Sequence, residues 1–241
     1  MEPVLLKEGI YWVGAIDWDM QYFHGPIYKT HRGTTYNSYL IIDEKITLVD
    51  AVYAPFAGEM LERIKRLIDP SQIDYIVVNH VETDHSGALP ELMKLVPDAQ
   101  IFCTARGKAG LQKHYYGDWD YRVVKSGTEL SLGKRTLSFI EAPMLHWPDS
   151  MFTYIKEEAL LMPNDAFGQH LASSFRFDDE VDNDLIMAEA SRYYANILYP
   201  LSKLVLKKLD EVAALDIPIS MIAPSHGVIW RENPGQIIEA Y

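Results

Sequence analysis

Short apolar runs closed by polar or turn residues recur along the whole chain, and most are too brief for helices. Residues 10–16 open the series as a strand. Residues 36–42 and 45–49, joined through Asp43-Glu44, read as a hairpin, and 75–78 as a short buried strand. Residues 100–104, 121–124, 129–132, 135–142, 151–155, 160–162 and 217–223 follow the same pattern, with Ser126-Gly127 and Leu132-Gly133-Lys134 as turns. Helical spacing appears between them. Phe56, Met60, Ile64, Leu67 and Ile68 share one face with Glu59, Glu62, Arg63 and Lys65 between them, and Asp69-Pro70 ends the helix. Residues 89–95, 106–116, 186–198 and 201–214 read as further helices, the last two divided by Pro200. Strands mixed with helices in this way predict an α/β chain: a layered sandwich of two mixed β-sheets flanked by helices.

Composition narrows the class. The 241 residues suffice for one large core, and no linker, repeat or low-complexity tract divides them, so a single domain over 1–241 is expected. Residues 231–241, containing Asn233-Pro234-Gly235, show no period and read as a terminus or the start of a linker. A net charge of −12 argues against nucleic acid or an anionic membrane as partner. There is no basic stretch followed by an apolar one at the start and no run of membrane-spanning length, which predicts a soluble, cytoplasmic protein. Cys103, the sole cysteine, sits in an apolar strand, so neither an intrachain disulfide nor a thiolate metal site is available.

The chemistry concentrates directly after the strand at 75–78. In Asn79-His80-Val81-Glu82-Thr83-Asp84-His85-Ser86-Gly87, four potential metal ligands fall within six residues. If the segment is extended, His80, Glu82 and Asp84 leave on one side. Three more metal-capable residues follow other strands: His146, Asp165 and His226. Four histidines and three carboxylates at strand ends are enough for two metals sharing one carboxylate. The loop 17–33, rich in aromatic residues, is long enough to be functional.

This pattern, His-x-Glu-x-Asp-His and then a His, an Asp and a His at long intervals, resembles the metallo-β-lactamase-like domain of flavodiiron proteins. So do the runs Gly33-Thr34-Thr35-Tyr36-Asn37-Ser38-Tyr39-Leu40, Asn164-Asp165-Ala166-Phe167-Gly168, Tyr193-Tyr194-Ala195-Asn196-Ile197 and His226-Gly227-Val228-Ile229-Trp230-Arg231. The resemblance spans essentially the whole chain and implies an αββα sandwich. It implies two non-heme iron ions: one held by His80, Glu82 and His146, the other by Asp84, His85 and His226, with Asp165 bridging. In some members the residue matching His85 turns away. His24 and Tyr193 match residues lining the substrate pocket, as candidates for hydrogen bonding or proton delivery. His31, His114 and His170 receive no role.

The implied activity is reduction of O2 to water, NO to N2O, or both. Glu82 stands where the zinc hydrolases of the superfamily usually carry histidine, and the added oxygen ligand suits iron. The family also carries FMN on a flavodoxin-like domain, and the chain stops where that domain would begin. Electrons are therefore expected from a separate flavodoxin-like or rubredoxin donor, and a homodimer is a further expectation of the resemblance. Two alternatives stand beside this reading: a flavin-less diiron protein that binds or senses O2 without turnover, and a dinuclear zinc hydrolase.

Overall fold

The computed structural model describes residues 2–23 and 28–241. Its seven-stranded sheet runs in the order Val4–Lys7, Ile10–Trp12, Tyr39–Ile41, Thr47–Val49, Tyr75–Val77, Gln100–Cys103 and Asp120–Val123. The first pairings are antiparallel. From Thr47–Val49 onward every pairing is parallel. A five-stranded sheet orders Glu129–Ser131, Thr136–Glu141, Met151–Ile155, Leu160–Met162 and Met221–Ile222, antiparallel except for its last pair.

The period-2 pattern sorts side chains into three packed layers. Tyr39, Ile41, Val49, Val77 and Phe102 of the first sheet meet Leu137, Phe139, Met151, Ile155, Leu160 and Met162 of the second, which makes the sandwich interior. Their neighbours along the strands face outward: Leu40, Leu48, Ile76, Ile101 and Cys103 pack against Met60 and Ile64 of helix Ala57–Lys65, Leu89 and Leu92 of Leu89–Leu95, and Leu111 of Ala105–Tyr115. On the far side Ile140, Phe152, Tyr154, Leu161 and Ile222 pack against Ile186, Ala190 and Tyr193 of helix Asn183–Tyr193 and Val205 of Ser202–Ala213. Strands buried on both faces need apolar residues in both registers, which is why they read as continuous runs. The expected two-sheet sandwich flanked by helices is therefore the observed one.

Three local expectations change. The strand over 10–16 is broken: Ile10–Trp12 stays in the large sheet, while Ala15–Asp17 pairs with Thr34–Tyr36. Gly14 makes the switch, since a Cβ there would lie 2.1 Å from the Tyr36 carbonyl oxygen. Strand 217–223 contracts to Met221–Ile222. Pro200 divides two helices as expected: Asn183–Tyr193 runs on into a π-turn (Tyr194–Leu198), the proline sits in a 3-10 turn (Tyr199–Leu201) where a first turn needs no N–H, and Ser202–Ala213 follows. The end of the chain is not aperiodic. Pro234–Ala240 is a helix capped by the Asn233 side chain, Ile237 is buried, and the Phe167 N–H donates to the Tyr241 hydroxyl at 2.6 Å.

Because parallel strands share direction, their C-terminal ends collect at one edge. Asp50, Asn79-His80, Asn164-Asp165 and Pro224-Ser225-His226 all follow such ends, so residues far apart in sequence arrive together.

Candidate metal centre

Two groups of ligand-type side chains converge at that edge: His80, Glu82, His146 and Asp165 in one, and Asp84, His85 and His226 in the other. The dense loop is what splits them. His80 and Glu82 leave an extended stretch two residues apart and reach the first group, as the alternation predicts. The extended reading fails at the next step: Thr83–Ser86 is a helical turn, closed by the Gly87 N–H on the Thr83 carbonyl at 2.8 Å. That turn carries Asp84 and His85 into the second group. Gly87 permits the closure, since a Cβ there would stand 2.4 Å from the Thr83 oxygen and 2.8 Å from the Ala54 nitrogen.

Asp165 lies between the groups and shows one oxygen to each. Its Oδ2 is 3.3 Å from His146 Nε2 and 3.6 Å from His80 Nε2. Its Oδ1 is 3.1 Å from His85 Nε2 and 3.6 Å from His226 Nε2. Glu82 Oε2 stands 3.1 Å from His146 Nε2 and 3.3 Å from His80 Nε2, and Asp84 Oδ2 stands 3.2 Å from His226 Nε2. His80, His85, His226 and Asp165 are essentially without solvent contact.

The donor set fits cations. His226 Nδ1 donates to the Thr35 carbonyl at 2.6 Å, so in the neutral ring Nε2 is the lone-pair nitrogen, and it faces the Asp84 carboxylate. Neither oxygen of Asp84, nor His226 Nε2, has a hydrogen-bond partner among the described residues. Buried lone pairs turned toward one another are costly unless a positive centre lies between them. His80 is arranged in the same way. Its Nδ1 is 3.0 Å from Asp149 Oδ2, which also accepts the Val81 N–H at 2.8 Å, leaving Nε2 aimed at Glu82 and Asp165. A carboxylate behind a ligating imidazole fixes its tautomer and orientation. Asp149→Ala should therefore weaken metal binding at the first group by about 10–100-fold with little change at the second, measurable by competitive chelator titration.

Without metal, protons take over part of the cation's role. Burial disfavours a charged ring, yet the carboxylates prevail: Asp149, Glu82 and Asp165 raise His80 to about 10, Asp165 and Glu82 raise His146 to about 10, and Asp84 and Asp165 raise His85 to about 9. Burial likewise opposes charge on Glu82 and Asp165, but the surrounding histidines hold both below the usual carboxylate range. Raised histidines stabilise the folded state fully below their ordinary value of 6.5, a contribution lost as pH climbs through 9 to 10. Lowered carboxylates contribute above their ordinary values, and lose this as pH falls through the folded ones. The metal-free chain should thus have its highest Tm in mildly acidic solution and lose stability steadily from pH 6.5 to 10, as a thermal-melt series with chelator would record.

Tyr193, on the helix Asn183–Tyr193, donates its hydroxyl to Asp165 Oδ1 at 2.9 Å, joined by the Ser225 hydroxyl at 3.1 Å. Burial and the neighbouring Asp165 push its phenol well above its ordinary value, so it stays protonated. His24 lies outside the described residues. Trp147 stands edge-on to His80 and beside His146, with centroids at 5.1 and 6.1 Å. A cavity of about 300 Å³ lined by Asp17, Tyr22, Phe23, Tyr36, Tyr53 and the Glu82-Thr83-Asp84 segment opens onto the site. The aromatic loop contributes Tyr22 and Phe23 to it, whereas Trp18 is 59% exposed and lines a neighbouring cavity with His31.

Two groups of residues escaped the sequence reading. His170, given no role, packs against Tyr193 and His226 at centroid distances of 4.8 and 5.1 Å, with its Nδ1 3.0 Å from the Thr34 hydroxyl. Asp50 is buried at the meeting point of three strand ends, accepting from the Asn79 N–H (2.7 Å), the Asn79 side chain (3.0 Å) and the Asn164 side chain (3.1 Å). Asn164 in turn accepts the Asp165 N–H at 2.9 Å. A carboxylate directly after an apolar strand was the available signal for Asp50.

Known proteins are similar to this chain. The family described as ODP family beta lactamase matches residues 34–227. A protein of Moorella thermoacetica named nitric oxide reductase is 61% identical over all 241 residues, which make up 60% of its length. An anaerobic nitric oxide reductase flavorubredoxin homolog of Escherichia coli O157:H7 is 49% identical over 240 residues, covering 99% of this chain and 58% of the relative. Among solved structures, the rubredoxin oxygen:oxidoreductase of the anaerobe Desulfovibrio gigas superposes with a TM-score of 0.96 at 41% identity, over 98% of this chain and 60% of that one. The flavodiiron protein of Giardia intestinalis gives 0.95 at 40% identity, over 100% and 58%. The chain thus spans about 60% of the length of these curated relatives. No helix among the described residues is long and apolar enough to cross a membrane.

Proposed function

The chain belongs to the ODP family of beta lactamases, and from that premise we propose that its 241 residues are a single diiron domain of an oxidoreductase acting on nitric oxide, dioxygen or both. In this reading His80, Glu82 and His146 hold one iron, Asp84, His85 and His226 the other, and Asp165 bridges them. The observation that carries it is the division of the Asp165 carboxylate, one oxygen toward each group of histidines. Glu82 between two histidines makes the first site richer in oxygen than three imidazoles would, a donor set that suits iron, and the family resemblance selects it. The names of the relatives, nitric oxide reductase and oxygen oxidoreductase, support the substrate class.

When bound, a ferrous pair would supply two electrons together, to two NO molecules or to one O2. The protein's own part is positional. Asp149 and the Thr35 carbonyl hold two imidazoles in the ligating tautomer. The protonated Tyr193 hydroxyl, 2.9 Å from the bridging carboxylate, donates hydrogen bonds at the junction of the two groups. His24 is proposed as a second donor to the substrate. Trp147, Tyr36 and Phe23 form apolar walls that limit bulk water at the site.

O2 reduction to water takes four electrons, so the irons must be recharged. FMN on a flavodoxin-like protein or domain, or a rubredoxin, is the donor proposed, and a homodimer the assembly in which it would approach the irons.

The test is gas consumption by the iron-reconstituted chain with a reduced flavodoxin as donor, with O2 and NO electrodes in parallel and the rate of the donor alone subtracted. Sustained consumption of either gas is expected. A stable O2 adduct without turnover would instead make the protein an oxygen binder, and hydrolysis of thioesters or lactams by a two-zinc form would return it to the hydrolases.

A further inference from the structure

Below the turn that presents Asp165 lies a further cavity, separate from the site mouth. Its volume is about 230 Å³, and Leu161, Phe167, Leu209, Val212, Ile219 and Ile238 form most of its wall. Asp216 is the one ionisable residue on its lining, and with Ala213 it is exposed, which puts the opening at the C-terminal end of helix Ser202–Ala213. An engineered apolar cavity of about 150 Å³ stays dry and takes up xenon or benzene. This one is open to solvent at one end, but its apolar lining offers water few hydrogen-bond partners.

The inner wall connects to the metal centre through one short turn. The Gly168 N–H closes on the Asp165 carbonyl at 3.1 Å, so Asp165 and Phe167 project from the same four residues. Phe167 holds a φ of +67°, where a bulky side chain is strained. The structure around it enforces this: its carbonyl accepts from the Trp230 indole at 2.9 Å and its ring lies 4.6 Å from that of Tyr241. The outcome is a turn with Asp165 at the metal groups and Phe167 on the apolar cavity.

We infer that the cavity bounded by Leu161, Phe167, Leu209, Val212, Ile219 and Ile238 is a holding site for small apolar gas molecules behind the metal centre. The inference rests on the proposed function for its purpose, since O2, NO and N2O are all small, weakly hydrated molecules that partition from water into apolar space. It concerns uptake of gas only and requires no chemistry in the cavity.

Xenon reads the site without turnover. In methyl NMR spectra of the metal-free full chain under rising xenon pressure, saturable shifts are expected at Leu161, Leu209, Val212, Ile219 and Ile238. Nitrous oxide should shift the same methyls. Ala213→Phe, which extends a ring from the opening into the cavity, should abolish them, and Val212→Phe serves if that variant does not fold. In the iron-loaded chain the filled variant should raise KM for the gas severalfold with kcat unchanged, the pattern of lost delivery rather than lost chemistry. Absent or non-saturable shifts overturn the inference, as does a filled variant with the wild-type KM. If the loaded chain consumes neither gas, the proposed function fails, while the methyl shifts still decide whether the cavity takes up gas.

Discussion

Asp165→Ala should release both metals together. A terminal ligand such as His146 serves one group, so its loss should leave the other nearly intact. Asp165 is within 3.3 Å of His146 on one side and 3.1 Å of His85 on the other. Removing it deletes the one carboxylate common to both groups. It also strands the Tyr193 and Ser225 hydroxyls, which both donate to Oδ1. The remaining histidines lose the negative charge that drew cations to them. Metal analysis after gel filtration should find at most trace iron in Asp165→Ala, and about one iron per chain in His146→Ala. Full retention of two irons without Asp165 would contradict the bridging role.

Asp50→Ala should be the most destabilising change made without touching a proposed ligand. The carboxylate is buried and accepts three hydrogen bonds, so alanine leaves the Asn79 N–H and two side-chain amides without their acceptor. Each orphaned buried donor costs about 1–3 kcal/mol, which puts the loss at about 3 kcal/mol or more. For a chain of this size that is about 6–12 °C in Tm. The damage should also reach the metal centre. Asn79 precedes His80, and Asn164 both donates to Asp50 and accepts from the Asp165 N–H. Asp50→Asn, which preserves shape and some acceptance, should recover part of the loss. Melting of metal-free protein, with iron affinity measured alongside, separates the two effects; an unchanged Tm in Asp50→Ala would refute the account of this network.

The layered sandwich was legible because each doubly buried strand leaves a nearly continuous apolar run, as at Tyr75–Val77 and Leu160–Met162. The seven ligand-type residues were legible because they follow such strands, and parallel pairing gathers strand ends at one edge. Their division into two groups followed from the family resemblance and not from the alternation of side chains. Alternation carried His80 and Glu82 correctly but put Asp84 beside them, whereas the turn Thr83–Ser86 turns Asp84 and His85 toward His226. A four-residue helical turn offers too few positions for a period to show. The supporting residues were hidden for another reason. Asp50 and Asp149 read as ordinary polar residues at a strand end and in a loop, and only their partners across the fold reveal what they hold. His170 is isolated in sequence from everything it touches. The division at Pro200 was legible because proline breaks a helix interior and is tolerated in a first turn, and the chain places it in the 3-10 turn between the two helices.

The central claim is a pair of irons sharing the Asp165 carboxylate, and anaerobic iron titration of the metal-free chain followed by EPR on oxidation tests it most directly. The account predicts two irons per chain and, in the fully oxidised protein, no signal from isolated ferric iron, because two bridged ferric ions couple to a spin-silent state. A single iron per chain, or two irons with the signal of magnetically independent ferric sites, would contradict it.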